Sequence, residues 1–150
     1  MQALARVHAA DGYPNRWPVD PRAWLDTSTQ IAAWVATRDD SIEGHVALDA
    51  NVVDPVLATA ACRPLERLVS VSRLFVQPHA RGTGLGGALL VTAANHALVQ
   101  GLGPVLDVVD DATVAIALYE RLGWQLVDRH PAHWTMNNGT RPLARRYVLR

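Results

Sequence analysis

Residues 81 to 87 read Arg-Gly-Thr-Gly-Leu-Gly-Gly. Four glycines beside an arginine make a pattern suited to holding an anion. Glycine lets a ligand approach the backbone closely and supplies φ > 0 where a turn needs it. A helix starting here has first N–H groups without intrahelical partners, and they carry a partial positive charge. Such a terminus is a ready phosphate site. Arg81 adds a fixed positive charge at its lip.

The flanking residues supply the elements that position this loop. Leu74-Phe75-Val76 is an apolar, β-favouring run and reads as the end of a strand. Pro78 stops it, because proline cannot donate to a ladder. After the loop, Gly87, Leu90, Val91, Ala94, Ala97 and Leu98 recur at the spacing of one helix face. Thr92, Asn95, His96 and Gln100 fall opposite. The order is strand, glycine-rich turn, helix.

The rest of the chain predicts further short elements. Residues 3 to 10 predict a helix ending near Gly12, and residues 13 to 21 hold three prolines and predict a loop. Asp20-Pro21 reads as an N-cap followed by proline at the first helical position. Tyr13, Trp17 and Trp24 cluster around this loop. Residues 31 to 37 and 42 to 49 predict strands joined by a hairpin turn over Arg38–Ser41. Glu43 is expected to be exposed near that hairpin. A polar loop then runs to Pro64, and Glu66 opens a strand over 66 to 76. Residues 104 to 109 predict a mostly apolar strand. Asp110 and Asp111 offer a side-chain cap to a helix over 112 to 122, which packs Ala115, Leu118 and Leu122 on one face before Gly123. Residues 124 to 130 and 145 to 150 predict the closing strands.

Composition narrows the function classes. One hundred and fifty residues fit a single domain over 1 to 150. Fourteen basic residues balance fourteen acidic ones, so charge gives no push toward nucleic acid or an anionic membrane. Cys62 is the one cysteine; it allows no internal disulfide and fits a cytoplasmic location. No apolar run reaches ~18 residues, and the N-terminus lacks a signal-peptide pattern. No Cys/His cluster has metal-ligand spacing, so no metal is expected.

Arg81-x-x-Gly84-x-Gly86 after Leu74-Phe75-Val76-x-Pro78 resembles the acyl-CoA pyrophosphate loop of the GNAT N-acetyltransferase superfamily. The stretch Ala117-Leu118-Tyr119-Glu120-Arg121-Leu122-Gly123-Trp124 resembles the segment that follows that family's last helix. The resemblance covers roughly residues 31 to 150. It implies an α/β (α+β) GNAT fold, a mixed and mostly antiparallel sheet with a central splay and helices on both faces. It implies acetyl-CoA as co-substrate, held by Leu74, Phe75 and Val76 at the strand end and by Arg81, Gly82, Thr83, Gly84, Leu85, Gly86 and Gly87 in the loop. The acceptor would be a small-molecule or peptide amine attacking directly in a ternary complex. Tyr119 would be the general acid for the leaving thiolate.

The chain also departs from that family. The family's first strand has no counterpart, which would expose another strand's edge and favour a homodimer. Many relatives carry a glutamate where Ser70 stands, and asparagine where Ala112 stands. The base is therefore sought elsewhere, at Glu66 or at His45, whose pKa range suits base work. Two other functional readings stay open. A CoA-binding module without catalysis would keep the loop and lack the base. Gly82-x-Gly84-x-x-Gly87, with Asp107 beyond it, also fits a dinucleotide fingerprint, though too few residues follow for a doubly wound domain.

Overall fold

A computed structural model describes residues 1–150. Helix α1 spans Gln2–Asp11, α2 Pro21–Leu25, α3 Pro55–Ala61, α4 Leu85–Val99 and α5 Thr113–Arg121. The strands are β1 Gln30–Arg38, β2 Ser41–Asp49, β3 Leu68–Val76, β4 Gly103–Val109, β5 Gln125–Pro131 and β6 Leu143–Val148. They hydrogen-bond in the order β1-β2-β3-β4-β6-β5. The β1–β2, β4–β6 and β5–β6 pairs are antiparallel, and β3–β4 is parallel. Residues group into two compact units, Met1–Asp49 with Val71–Ala93, and Ala50–Ser70 with Ala94–Arg150.

The first unit is built on the β1–β2 hairpin and α1. Arg38 pairs with Ser41, and Asp39 and Asp40 take φ of 47° and 63°. Both central turn residues are thus left-handed, as a two-residue hairpin turn of this hand requires. Along the hairpin, Ala36 faces Gly44 and Thr37 faces Ile42, so Glu43 is an extra residue on β2. A bulge of this kind re-aims a side chain. Ala3, Leu4 and Val7 of α1 form a core with Phe75, flanked by Tyr13, Trp24 and Leu25. α1 ends at Gly12, whose φ of 69° suits glycine. Asp20 caps α2 by accepting from the amides of Arg22 and Ala23.

The second unit has its own core of Leu57, Leu68, Val105 and Val148. The β3–β4 ladder runs from Leu68↔Gly103 to Ser70↔Val105 and stops there. From Val105 to Val109, β4 pairs with β6.

Several expectations are corrected. The predicted polar loop before Pro64 contains α3. Asp54 accepts from the amide of Val56, and Pro55 starts the helix, which repeats the Asp20-Pro21 signal. Glu66 does not open β3; it lies exposed in a 3₁₀ turn over Leu65–Arg67, and the strand begins at Leu68. Asp110 and Asp111 do not cap α5, which has no side-chain cap. Asp110 instead binds the guanidinium groups of Arg145 and Arg129, a stronger partner for a carboxylate than an amide. The buried face of α5 is Ile116 and Tyr119, with Ala115, Leu118 and Leu122 only half-buried. On α4 the buried residues are Leu89, Leu90, Ala93, Ala94 and Ala97, while Val91 and Leu98 are exposed. Glu43 is buried, not exposed.

Candidate active site

The loop between β3 and α4 lies wholly in the first unit. After Val76 a 3₁₀ turn spans Pro78–Ala80. Gly82 and Gly84 then take φ of 74° and 81°, where an L side chain is strained. A Cβ at either would meet nothing within 4 Å, so backbone conformation rather than space requires glycine there. Thr83 Oγ1 donates to Ala80 O at 2.6 Å and braces the turn. The first bond of the helix runs from Ala88 N to Gly84 O at 3.0 Å. The amides of Leu85, Gly86 and Gly87 therefore precede the ladder, as the first amides of a helix do. Open glycines, three leading amides and the positive end of a 15-residue helix fit a pyrophosphate.

Arg81, expected as a fixed positive charge at the lip of the loop, is paired within the first unit. Its Nη1 donates to Asp11 Oδ1 at 3.0 Å, its Nη2 to Asp11 Oδ2, and its Nε to Val76 O at 3.2 Å. The guanidinium pins the loop to the last turn of α1.

Glu43 sits beside the same loop. With Ala36, Thr37, Arg38, Thr83, Gly84, Leu85 and Ala88 it lines a cavity of about 290 Å³. Its Oε2 stands 2.7 Å from His79 Nε2, yet no donor is aligned on that oxygen for a hydrogen bond. The contact is one of charge when His79 is protonated, rather than a directed bond.

On the strand side, Arg73 has φ of 52° inside β3. Its Nη1 reaches Asp49 Oδ2 at 2.5 Å, its Nε donates to Trp24 O, and the guanidinium lies 5.2 Å from the Trp24 ring centroid. Asp49 also accepts from Ser72 Oγ at 2.5 Å and Thr27 Oγ1 at 2.6 Å. Burial alone would raise the Asp49 pKa. The bonds from Ser72 and Thr27 and the Arg73 charge outweigh it and hold the carboxyl below its usual value. Sequence reasoning missed this network, because no local pattern marks Arg73 as left-handed.

His45, one of the two expected bases, is 8% exposed on β2. Its Nδ1 lies 2.9 Å from Arg73 O, and its ring stacks on Phe75 at 5.4 Å. Desolvation lowers its pKa, the bond to Arg73 O opposes this, and the Arg73 charge adds to the lowering. Glu66, the other, lies in the second unit. So does Tyr119, which packs against Trp124 and Tyr147 at 6.2 and 6.0 Å between ring centroids. Burial pushes the Tyr119 phenol up to about 12, with Tyr147 adding to it. Asp107 bonds His130 Nε2 at 2.7 Å. No group of three or more His, Cys, Asp or Glu side chains is placed to hold a metal ion. No helix is long and apolar enough to cross a membrane.

This loop and fold define a family. The acetyltransferase (GNAT) domain model matches residues 29–126, and the chain belongs to that family. Mycothiol acetyltransferase of Thermobispora bispora is 48% identical over 50 residues, which is 33% of this chain and 17% of that protein. Mycothiol acetyltransferase of Kocuria rhizophila is 45% identical over 59 residues, 39% of this chain and 20% of that protein. These matches thus span a fifth or less of the relatives' length. Among solved structures, Arabidopsis thaliana NAA60 in complex with acetyl-CoA has a TM-score of 0.76 at 20% identity, covering 99% of this chain and 93% of that one. The ribosomal-protein-S18-alanine N-acetyltransferase from Escherichia coli has a TM-score of 0.69 at 18% identity, covering 99% and 88%. At those identities the likeness establishes the fold.

Proposed function

We propose that this chain is an N-acetyltransferase that moves an acetyl group from acetyl-CoA to a primary amine by direct attack. The observation that carries this reading is the loop at Gly82–Gly87, with two left-handed glycines leading into the unpaired first amides of α4. Acetyl-CoA supplies an activated thioester when bound. The amides of Leu85, Gly86 and Gly87 would hold its pyrophosphate, and Leu74–Val76 its pantetheine arm. Arg81 acts by fixing the loop against Asp11, more than by meeting the anion with a free charge.

Tyr119 is assigned to the departing sulfur. A phenol near 12 stays protonated at neutral pH. It lies well above a thiol of pKa ~8.5, so its part is to donate a hydrogen bond to the thiolate, with water completing protonation. A neutral amine attacks the carbonyl, the C–N bond forms and the C–S bond breaks. The acceptor class is a small-molecule or peptide amine. Thiol release from acetyl-CoA, measured across an amine panel, tests the reading; binding of acetyl-CoA without any amine-dependent release would reject it.

The placement of Ser70 and Glu66 favours a second reading. Ser70 is neutral, and Glu66 is exposed on a turn outside β3. A CoA-binding module without catalysis would show tight CoA binding, no turnover and no effect of Tyr119→Phe.

A further inference from the structure

We infer that a cavity between α1 and the β1–β2 hairpin takes a small primary amine with an apolar body, and that His45 accepts its proton. This rests on the acetyltransfer reading and names its acceptor. The cavity has a volume of about 270 Å³ and lies entirely within the first unit. Its walls include Leu4, Leu25, Val35, Ile42 and Phe75. Phe75 belongs to the strand end assigned to the pantetheine arm, so the cavity adjoins the cofactor's proposed course.

Three polar residues line this apolar space: Gln30, His45 and Asp26. Gln30 Oε1 is buried and has no donor. An orphaned buried acceptor is costly, and a ligand N–H would satisfy it. His45 Nδ1 lies against the carbonyl of Arg73, which can only accept. The ring proton is therefore on Nδ1, and Nε2 carries the lone pair. Burial keeps this imidazole neutral, as a base near neutral pH must be. Asp26 is exposed and presents a carboxylate to an arriving ammonium.

These groups select one chemistry. The unpartnered Gln30 Oε1 and the His45 Nε2 lone pair accept hydrogen bonds and Asp26 is an acid, so a ligand that brings N–H donors suits them. A carboxylate or phosphate would leave Gln30 Oε1 without a donor and would face the acid at Asp26. A polyamine would set a second charge against apolar walls, at a high desolvation cost. In the step itself, the amine nitrogen forms the C–N bond at the thioester carbon. The C–S bond breaks with its electron pair going to sulfur, and the surplus proton on nitrogen passes to His45 Nε2.

The test uses the whole chain with acetyl-CoA and four amines: 3-methylbutylamine, 2-phenylethylamine, ethanolamine and spermidine. The two apolar amines should exceed ethanolamine in kcat/KM by about tenfold or more. Gln30→Leu should raise KM for 3-methylbutylamine by about tenfold, one hydrogen bond's worth, and should also raise the melting midpoint of the free protein by removing the orphan. His45→Gln should lower kcat by roughly 10²-fold with little change in KM. The midpoint separates loss of the site from loss of the fold. Acetyl-CoA binding that persists while apolar amines show no advantage, or while Gln30→Leu leaves KM unchanged, would overturn the acceptor assignment alone. Failure of acetyl-CoA itself to bind, read by calorimetry on the same preparation, would overturn the acetyltransfer reading and the acceptor with it.

Discussion

Arg81 of the glycine-rich loop holds Asp11 of α1 through both terminal guanidinium nitrogens, with Nη1 and Oδ1 3.0 Å apart. The pair is part-exposed, at 42% and 40% of the side chains. Exposed pairs contribute about 0–1 kcal/mol, so its main effect is on position. Asp11→Asn should leave stability nearly unchanged and weaken acetyl-CoA binding a few-fold, since the loop loses the contact that fixes it to α1. Arg81→Ala should weaken binding. Calorimetric titrations of both variants check this; stronger binding by Asp11→Asn would show that a freed charge matters more than the pinned geometry.

Two glycines should fail for different reasons. Gly84→Ala meets no atom but must hold φ of 81°, at about 1–2 kcal/mol. Gly44→Ala keeps an ordinary backbone, but its Cβ would lie 2.8 Å from Leu89 Cδ1 and 3.1 Å from Phe75 O. Overpacking of this kind costs about 1–3 kcal/mol. Gly84→Ala should impair cofactor binding beyond its stability loss, and Gly44→Ala should act mainly on stability. Denaturant melts beside binding titrations separate them.

Asp49 and Arg73 form a buried pair, 10% and 15% exposed. Removing the carboxylate strands a buried guanidinium, so Asp49→Ala should cost about 3–5 kcal/mol. The sign with pH follows from the lowered Asp49 pKa. The unfolded chain binds the proton more readily, so the pair's stabilisation is present above the ordinary carboxylate value near ~3.9 and is lost as pH falls through the lower folded value. Stability measured down through that range should drop more steeply in wild type than in Asp49→Asn.

Much of this arrangement was legible in local pattern. Leu74–Gly87 announced strand, turn and helix, because proline, glycines and a 3.6-residue period are all local signals. α3 was legible too, since Asp54-Pro55 repeats the Asp20-Pro21 signal, but its short apolar run read as loop. Other features depend on partners distant in sequence. Arg81 and Asp11 are 70 positions apart, and Arg73 and Trp24 49. Glu43 is buried because one extra residue on β2 turns it inward, which only pairing with β1 can reveal. The orphaned Gln30 Oε1 has no signature in sequence at all.

β1 ends the sheet, pairs only with β2 and exposes Ile31 and Val35. An exposed edge with apolar residues favours pairing with a second chain. The chain should sediment as a homodimer, and Val35→Lys on that strand should shift it toward monomer. A wild-type protein that sediments only as monomer would refute this.

Acetyl-CoA binding is assigned to the Gly82–Gly87 loop. Thermal unfolding with acetyl-CoA, CoA and NADH, on wild type and Gly84→Ala, tests it most directly. A ligand at 100 times its Kd adds about 2.7 kcal/mol of apparent stability. The predicted result is a raised midpoint with both CoA species, a smaller rise in Gly84→Ala and none with NADH. No rise with either CoA species, or a rise with NADH alone, would contradict the claim.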